Sequence, residues 1–261
     1  MTAGPDLDGF LLGSAWSDAR REPLTGDASA RRYWRLFGKA GTAILAHSPL
    51  PEGPDECHRF ARIGGWLCHH GYSAPRVLLD GSKGGFLLLE DLGADRFAEV
   101  TAQTPGLELQ LYLATTGFLL DLHRHQPPQE VPVLDGPALA GLTGLIGEWL
   151  LPAIGQGSAT AASEIGPIIA ETYVVLNDAA PVLSMRDFHA ENLMWLPDRA
   201  GIARVGLLDF QDAVQTHPMY DLVSLLQDAR RDVGKTTRDA VLAQYLGHIG
   251  PKQSLFLPMY S

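Results

Sequence analysis

Hydrophobic and polar positions alternate along the first third of the chain and give way to a helical repeat after it. Following a polar start, Leu11, Leu12 and Trp16 mark a short amphipathic helix within residues 1–20. The run from Leu24 to Leu36 joins a small-residue turn, Gly26-Asp27-Ala28-Ser29, to the aromatic segment Tyr33-Trp34. Alternation of this kind puts successive side chains on opposite faces of a strand, so a hairpin with a tight loop is expected. Thr42 to Ala46 reads as a third strand. Residues 54–70 carry Phe60, Ile63, Trp66 and Leu67 at helical spacing, and Gly71 stands where a C-cap belongs. Val77 to Leu79 and Phe86 to Leu89 read as two further strands, with the turn residues Asp80 to Gly85 between them. The expected product is a small antiparallel sheet carrying one helix.

The pattern changes at Glu90-Asp91-Leu92-Gly93, which reads as a linker. Residues 107–124 form an apolar helix, 125–136 a Pro-rich loop, and 137–180 further helices interrupted by the Gly/Ser/Ala stretch at 155–163. Val182-Leu183 and Val205 to Leu208 read as short strands flanking a loop, and the chain is helical again from Asp221. The fold class expected is therefore α+β. Its parts are an N-terminal unit over 1–90, a hinge at 91–94, and a larger, mainly helical unit over 95–261.

Composition narrows the functions open to such a fold. Hydrophobic residues make up 46% and charged residues 19% of 261, enough for a substantial core and against disorder. A net charge of −10 and a pI near 5.3 repel phosphate backbones and anionic lipid, which argues against nucleic-acid or membrane-surface partners. Cys57 and Cys68 fall in one predicted helix, about 16 Å apart along its axis and beyond disulfide reach. With His58, His69 and His70 they match no paired zinc-ligand spacing. The start of the chain lacks a basic segment followed by an apolar one, and no apolar run approaches the ~20 residues that span a bilayer. A cytoplasmic location is expected.

The residues with most chemical content are Ser184-Met-Arg-Asp-Phe-His-Ala-Glu-Asn192 and Leu207-Leu-Asp-Phe-Gln-Asp-Ala213. Asp187, Asn192 five residues on, and Asp209 at a strand end suit phosphoryl transfer, which is chiefly positioning and charge neutralisation. Asp187 suits the orientation or deprotonation of an attacking hydroxyl. Asn192 and Asp209 suit Mg²⁺, which prefers hard oxygen ligands.

Arg186-Asp187-Phe-His189-Ala-Glu-Asn192-Leu193 followed by Leu208-Asp209-Phe210 resembles the aminoglycoside phosphotransferase and choline kinase superfamily. The resemblance runs from about Leu24 to Asp228. Gly26 to Tyr33, Gly85 to Gly93, Glu148-Trp149, Asp209 to Ala213 and Tyr220 to Leu225 are most similar to bacterial kinases of N-acetylmuramate and N-acetylglucosamine. It implies a protein-kinase-like, two-lobed fold and transfer of a phosphoryl group from ATP to an alcohol of a small molecule, with Mg²⁺ as cofactor. It also implies roles: Asp187 as base, Asn192 and Asp209 as metal ligands, the backbone of Glu90, Asp91 and Leu92 as the adenine-binding hinge, and Gly26, Asp27, Ala28 and Ser29 as the loop over the phosphates. Small residues there let backbone N–H groups approach oxyanions.

Two departures accompany the resemblance. Met185 stands where the family often has His. The third strand, Thr42-Ala-Ile-Leu-Ala-His47, lacks the lysine that kinases of this fold set against the phosphates. Arg32 shares a strand face with Trp34 and Leu36, so it is the candidate replacement, with Arg31 and Arg35 expected to face solvent. Asp212 suits a structural cap more than a second metal. His189 is expected to support the Asp187 loop, Asp221 to hold it through backbone hydrogen bonds, and His123 to bond nearby backbone. Glu148 and Trp149 are candidates for acceptor contact, the ring by stacking on a sugar face. The expected substrate is an amino sugar. The alternatives are an aminoglycoside, choline or homoserine-like alcohol, or a nucleotide-binding pseudokinase, which the missing lysine would suit.

Overall fold

The computed structural model describes residues 6–24, 30–49, 51–155, 159–176 and 179–249. The chain forms two compact units, one of residues 1–103 with 190–212 and the other of 104–189 with 213–261.

The first unit is built on a five-stranded sheet of order β1-β2-β3-β5-β4, antiparallel throughout. Its strands are β1 (Arg20–Leu24), β2 (Arg32–Gly38), β3 (Gly41–His47), β4 (Val77–Gly81) and β5 (Phe86–Glu90). The register sets Trp34 opposite Leu45 and Leu36 opposite Ala43, so one face collects apolar side chains from successive strands. That face buries Leu36, Ala43, Leu45 and Leu88 under Leu11 of α1 (Leu7–Leu11) and Trp16. The other face sets Leu87 and Leu89 against Cys57 and Phe60 of α2 (Gly53–His69), with Ile44 and Ala46 beside them. Alternation along each strand thus supplies two separate packing surfaces.

α2 ends as its sequence suggests. Gly71 adopts φ +84°, the Tyr72 N–H donates to the Leu67 carbonyl at 3.0 Å, and the Gly71 N–H donates to Cys68 at 3.1 Å. This is a Schellman closure, and glycine takes the left-handed position without a Cβ penalty. The unit also holds α3 (Phe97–Gln103) and an antiparallel pair contributed by the later part of the chain, Leu193–Trp195 with Val205–Leu207.

The second unit is mainly helical. α4 (Glu108–Leu122) packs against the C-terminal helix α9 (Lys235–Ile249), α5 (Gly136–Leu142) packs against α7 (Ala159–Leu176), and α6 (Leu151–Ala153) continues a π-helical turn over Ile146–Leu150. α8 (Met219–Leu226) buries Met219, Asp221, Leu222, Leu225 and Leu226. A short antiparallel pair, Val182–Ser184 with Val214–Thr216, brackets the segment that carries Asp187.

The fold class is the α+β arrangement expected. The short strands expected at 182–183 and 205–208 are present, and the structure adds their partners. Residues 182–184 pair with 214–216, whereas 205–207 pair with 193–195. Three-residue strands carry too little alternation to reveal their partners.

Candidate active site

In the second unit, Asp187 sits on a loop fixed from below. Met185 and Phe188 are buried, and Phe188 stacks on Phe118 of α4 at 5.9 Å. Between them Arg186 takes φ +68°, an uncommon conformation for a residue with a Cβ. Asp221, 1% exposed, holds that turn: its carboxylate accepts from Ser184 Oγ at 2.6 Å, the Met185 N–H at 2.7 Å and the Arg186 N–H at 3.2 Å. Burial pushes the Asp221 carboxyl up to about 6, while the three hydrogen bonds favour its charged form. α8 is itself anchored, because the Tyr245 hydroxyl donates to the carbonyl of Pro218 at 3.0 Å and lies 3.0 Å from His123 Nδ1. Burial, and then His217, push the His123 imidazole down to about 4, so it is neutral at physiological pH. Above this scaffold the Asp187 carboxylate is 57% exposed, with Oδ1 3.3 Å from Nε2 of the buried His189.

Asp187 and His189 help line a cavity of about 670 Å³ in the same unit. Leu139, Ile168, Ile169, Met219 and Val223 make much of its wall apolar, and Asp187 and Asp228 are its two acids among the described residues. A volume of that size suits a small organic ligand. Glu148 and Trp149 are not among the described residues that line it. They lie on the π-helical turn with both side chains exposed, Trp149 at 73%.

In the first unit, Asn192 and Asp209 are drawn together by the strand pair 193–195 and 205–207, where the Leu208 N–H donates to the Asn192 carbonyl at 2.9 Å. Phe210 anchors the second of them. It packs on Phe60 of α2 at 4.6 Å, and a Cβ on Gly64 would stand 3.2 Å from its ring, so the ring lies close against the α2 backbone. Asp209 takes φ +54°, a region Asp tolerates better than most side chains. Its Oδ1 accepts from Gln211 Nε2 at 2.8 Å and lies 2.9 Å from Arg31 Nη2.

Arg31 is the residue the sequence reading missed. The cation that meets Asp209 is Arg31, not Arg32. Arg32 is exposed, on the Trp34 and Leu36 face that packs under α1. Arg31 and Arg35 do not face solvent: Arg35 pairs with Asp91 at 2.9 Å and donates to the Gly93 carbonyl at 2.6 Å. Burial works to lower the Arg31 pKa, yet Tyr33, Asp209 and Glu56 together raise it, so it is a firm cation. Alternation had set Arg31 on the face opposite Arg32, but gave no sign that this face meets Asp209 and not solvent.

The Glu90 side chain is engaged by Arg76 and Arg199, each at 2.9 Å. Burial would raise its pKa, but these two guanidinium groups hold it below the usual carboxylate range. The Glu90 N–H donates to Arg76 at 2.8 Å, and Asp91 Oδ1 accepts from the Gly93 N–H at 3.0 Å. Gly26, Asp27, Ala28 and Ser29 lie outside the described residues. Asp212 is half-exposed, 3.8 Å from Arg59. Both cysteines are free, and burial pushes the Cys57 thiol up to about 11. Among the described residues no three His, Cys, Asp or Glu side chains cluster to hold a metal, and no helix is long and apolar enough to cross a membrane.

A family model described as a phosphotransferase enzyme family matches residues 20–256. The N-acetylmuramate/N-acetylglucosamine kinase of Caulobacter vibrioides is 37% identical, over 91% of this chain and 75% of that protein. The enzyme of the same name from Pseudomonas aeruginosa is 28% identical, over 85% of this chain and 65% of its own length, so the chain spans just under two thirds of it. Among solved structures, aminoglycoside phosphotransferase APH(2'')-Ib in its ADP-bound form superposes with a TM-score of 0.65 at 16% identity, covering 87% of this chain and 77% of the other. That likeness is one of fold.

Proposed function

The chain belongs to the phosphotransferase enzyme family, and from that footing we propose that it moves the γ-phosphoryl group of ATP to a hydroxyl of an N-acetyl amino sugar. The observation that carries the choice of acceptor is the cavity beside Asp187. A polycationic aminoglycoside needs several acids around it, and among the described residues this cavity offers two, one of them faced by Arg230. Its apolar wall suits the methyl and C–H faces of an N-acetyl sugar. The two kinases named for N-acetylmuramate and N-acetylglucosamine support the same reading.

In this proposal Asp187 orients the sugar hydroxyl and receives its proton as the oxygen attacks phosphorus. His189 keeps the carboxylate aimed by holding Oδ1. Asp221 holds the turn that presents it. Asn192 and Asp209 provide side-chain oxygens of the kind Mg²⁺ prefers, and as two rather than three donors they suit an ion that completes its shell with phosphate and water. When bound, that ion would neutralise phosphate charge. Arg31 adds a fixed cation beside Asp209 and so fills the electrostatic role of the lysine absent from β3. The backbone of Glu90, Asp91 and Leu92 is assigned to adenine, with the Glu90 N–H already bonded to the Arg76 carbonyl. Residues 26–29 are assigned to the phosphates. The functional division proposed is a nucleotide-binding part over 1–90, a hinge over 91–94 and a catalytic and acceptor-binding part over 95–261. A cytoplasmic location accords with the free cysteines.

The test is turnover across a panel of alcohols with Mg·ATP. N-acetylmuramate and N-acetylglucosamine should be phosphorylated, and kanamycin, choline and homoserine should not. Turnover of any of the last three above the sugars refutes the assignment.

A further inference from the structure

Among the described residues lining the cavity, Arg230 is the one Arg or Lys. Its position is fixed at the backbone, where its N–H donates to Asp228 Oδ1 at 2.9 Å just after α8. Its guanidinium is held much less tightly: Nη1 stands 3.8 Å from the same oxygen, beyond hydrogen-bond range, and the side chain is 55% exposed. Asp228 is itself enclosed, with its side chain 0% exposed and Oδ2 lacking a hydrogen-bond partner. A buried acid therefore keeps the cation at the cavity without using up its donors.

The surroundings make this cation matter. The chain carries a net charge of −10, and Asp187 adds a negative charge within the same lining. An anion entering a largely apolar cavity under that field is strongly disfavoured unless it meets a cation. A guanidinium presents a planar fork that takes a carboxylate through two parallel hydrogen bonds. We infer that Arg230 binds a carboxylate carried by the acceptor, so that the cavity discriminates an acidic N-acetyl sugar from its neutral counterpart. The inference rests on the amino-sugar reading above. N-acetylmuramate, with its lactyl carboxylate, is the acidic member of that class, and N-acetylglucosamine is the neutral one.

The experiment compares kcat/KM for N-acetylmuramate, its methyl ester and N-acetylglucosamine in the wild type, Arg230→Gln and Arg230→Lys. In the wild type the acid should exceed its ester by about 10- to 100-fold, the range for hydrogen bonds to a charged partner. In Arg230→Gln the acid and ester should converge, and Arg230→Lys should restore part of the gap, since it keeps the charge and loses the fork. An acid-to-ester ratio that Arg230→Gln leaves unchanged overturns the inference while the amino-sugar reading stands. A uniform loss on all three substrates, as from a merely structural role, also overturns it. Failure of the wild type to phosphorylate any of the three removes the amino-sugar reading, and this inference with it.

Discussion

Removing the Asp221 carboxylate should separate stability from catalysis. In Asp221→Ala the Met185 N–H loses its 2.7 Å partner and the Ser184 hydroxyl its 2.6 Å partner, whereas the Arg186 N–H keeps Ser184 Oγ at 3.1 Å. Two buried donors left unpaired cost about 2–6 kcal/mol. Against this, the native state no longer holds a buried carboxylate whose pKa has moved from 3.8 to about 6. That shift corresponds to about 3 kcal/mol at neutral pH. The two effects largely offset, so the variant should unfold within about 3 kcal/mol of the wild type at pH 7 while kcat falls about 100-fold, as expected when a reacting group is displaced by an ångström.

The pH dependence gives a second handle on the same group. The folded pKa is raised, so the folded state holds the extra proton between about pH 4 and 6. This group's stabilising contribution is complete below the unfolded pKa and lost as pH rises through about 6. Urea unfolding of wild type and Asp221→Asn at pH 4.5 and pH 7 isolates it. The wild type's advantage over the variant should be about 2 kcal/mol larger at pH 4.5. An advantage that is equal at both pH values, or larger at pH 7, would refute the reasoning.

Arg31→Ala should raise the KM for ATP about tenfold, from loss of one charged contact, while Arg32→Ala stays within about twofold; steady-state kinetics on both variants decides between the two arginines. Gly206→Ala places a Cβ 2.8 Å from that of Met194 and should lower stability by about 1–3 kcal/mol, read as the shift in urea midpoint. Chelation of divalent ions should abolish turnover, and excess Mg²⁺ should restore it.

Much of this architecture is legible in residue order. Alternation at Trp34 and Leu36 and the apolar run Phe86 to Leu89 announce the sheet, and Gly71 announces the end of α2 because a residue free at positive φ closes a helix tightly. The spacing of Asp187, Asn192 and Asp209 is the sequence feature on which the proposed chemistry rests. Other features depend on distance through space. Arg31 is adjacent in sequence to the arginine that alternation favoured, but one position moves a side chain to the opposite face, and only that face reaches Asp209. The cavity is lined from α5, α7 and α8 and the turn after α8, segments whose individual patterns say nothing about what they enclose together. For that reason Glu148 and Trp149 stood out in the sequence, while Arg230 did not.

Incubation of the protein with Mg²⁺, N-acetylmuramate and ATP labelled at its γ-phosphate, followed by separation of the sugars, tests the central claim most directly. Label should pass to the sugar with the wild type. With Asp187→Ala it should not, although that variant still binds ATP with unchanged affinity. Undiminished transfer by Asp187→Ala would contradict the account.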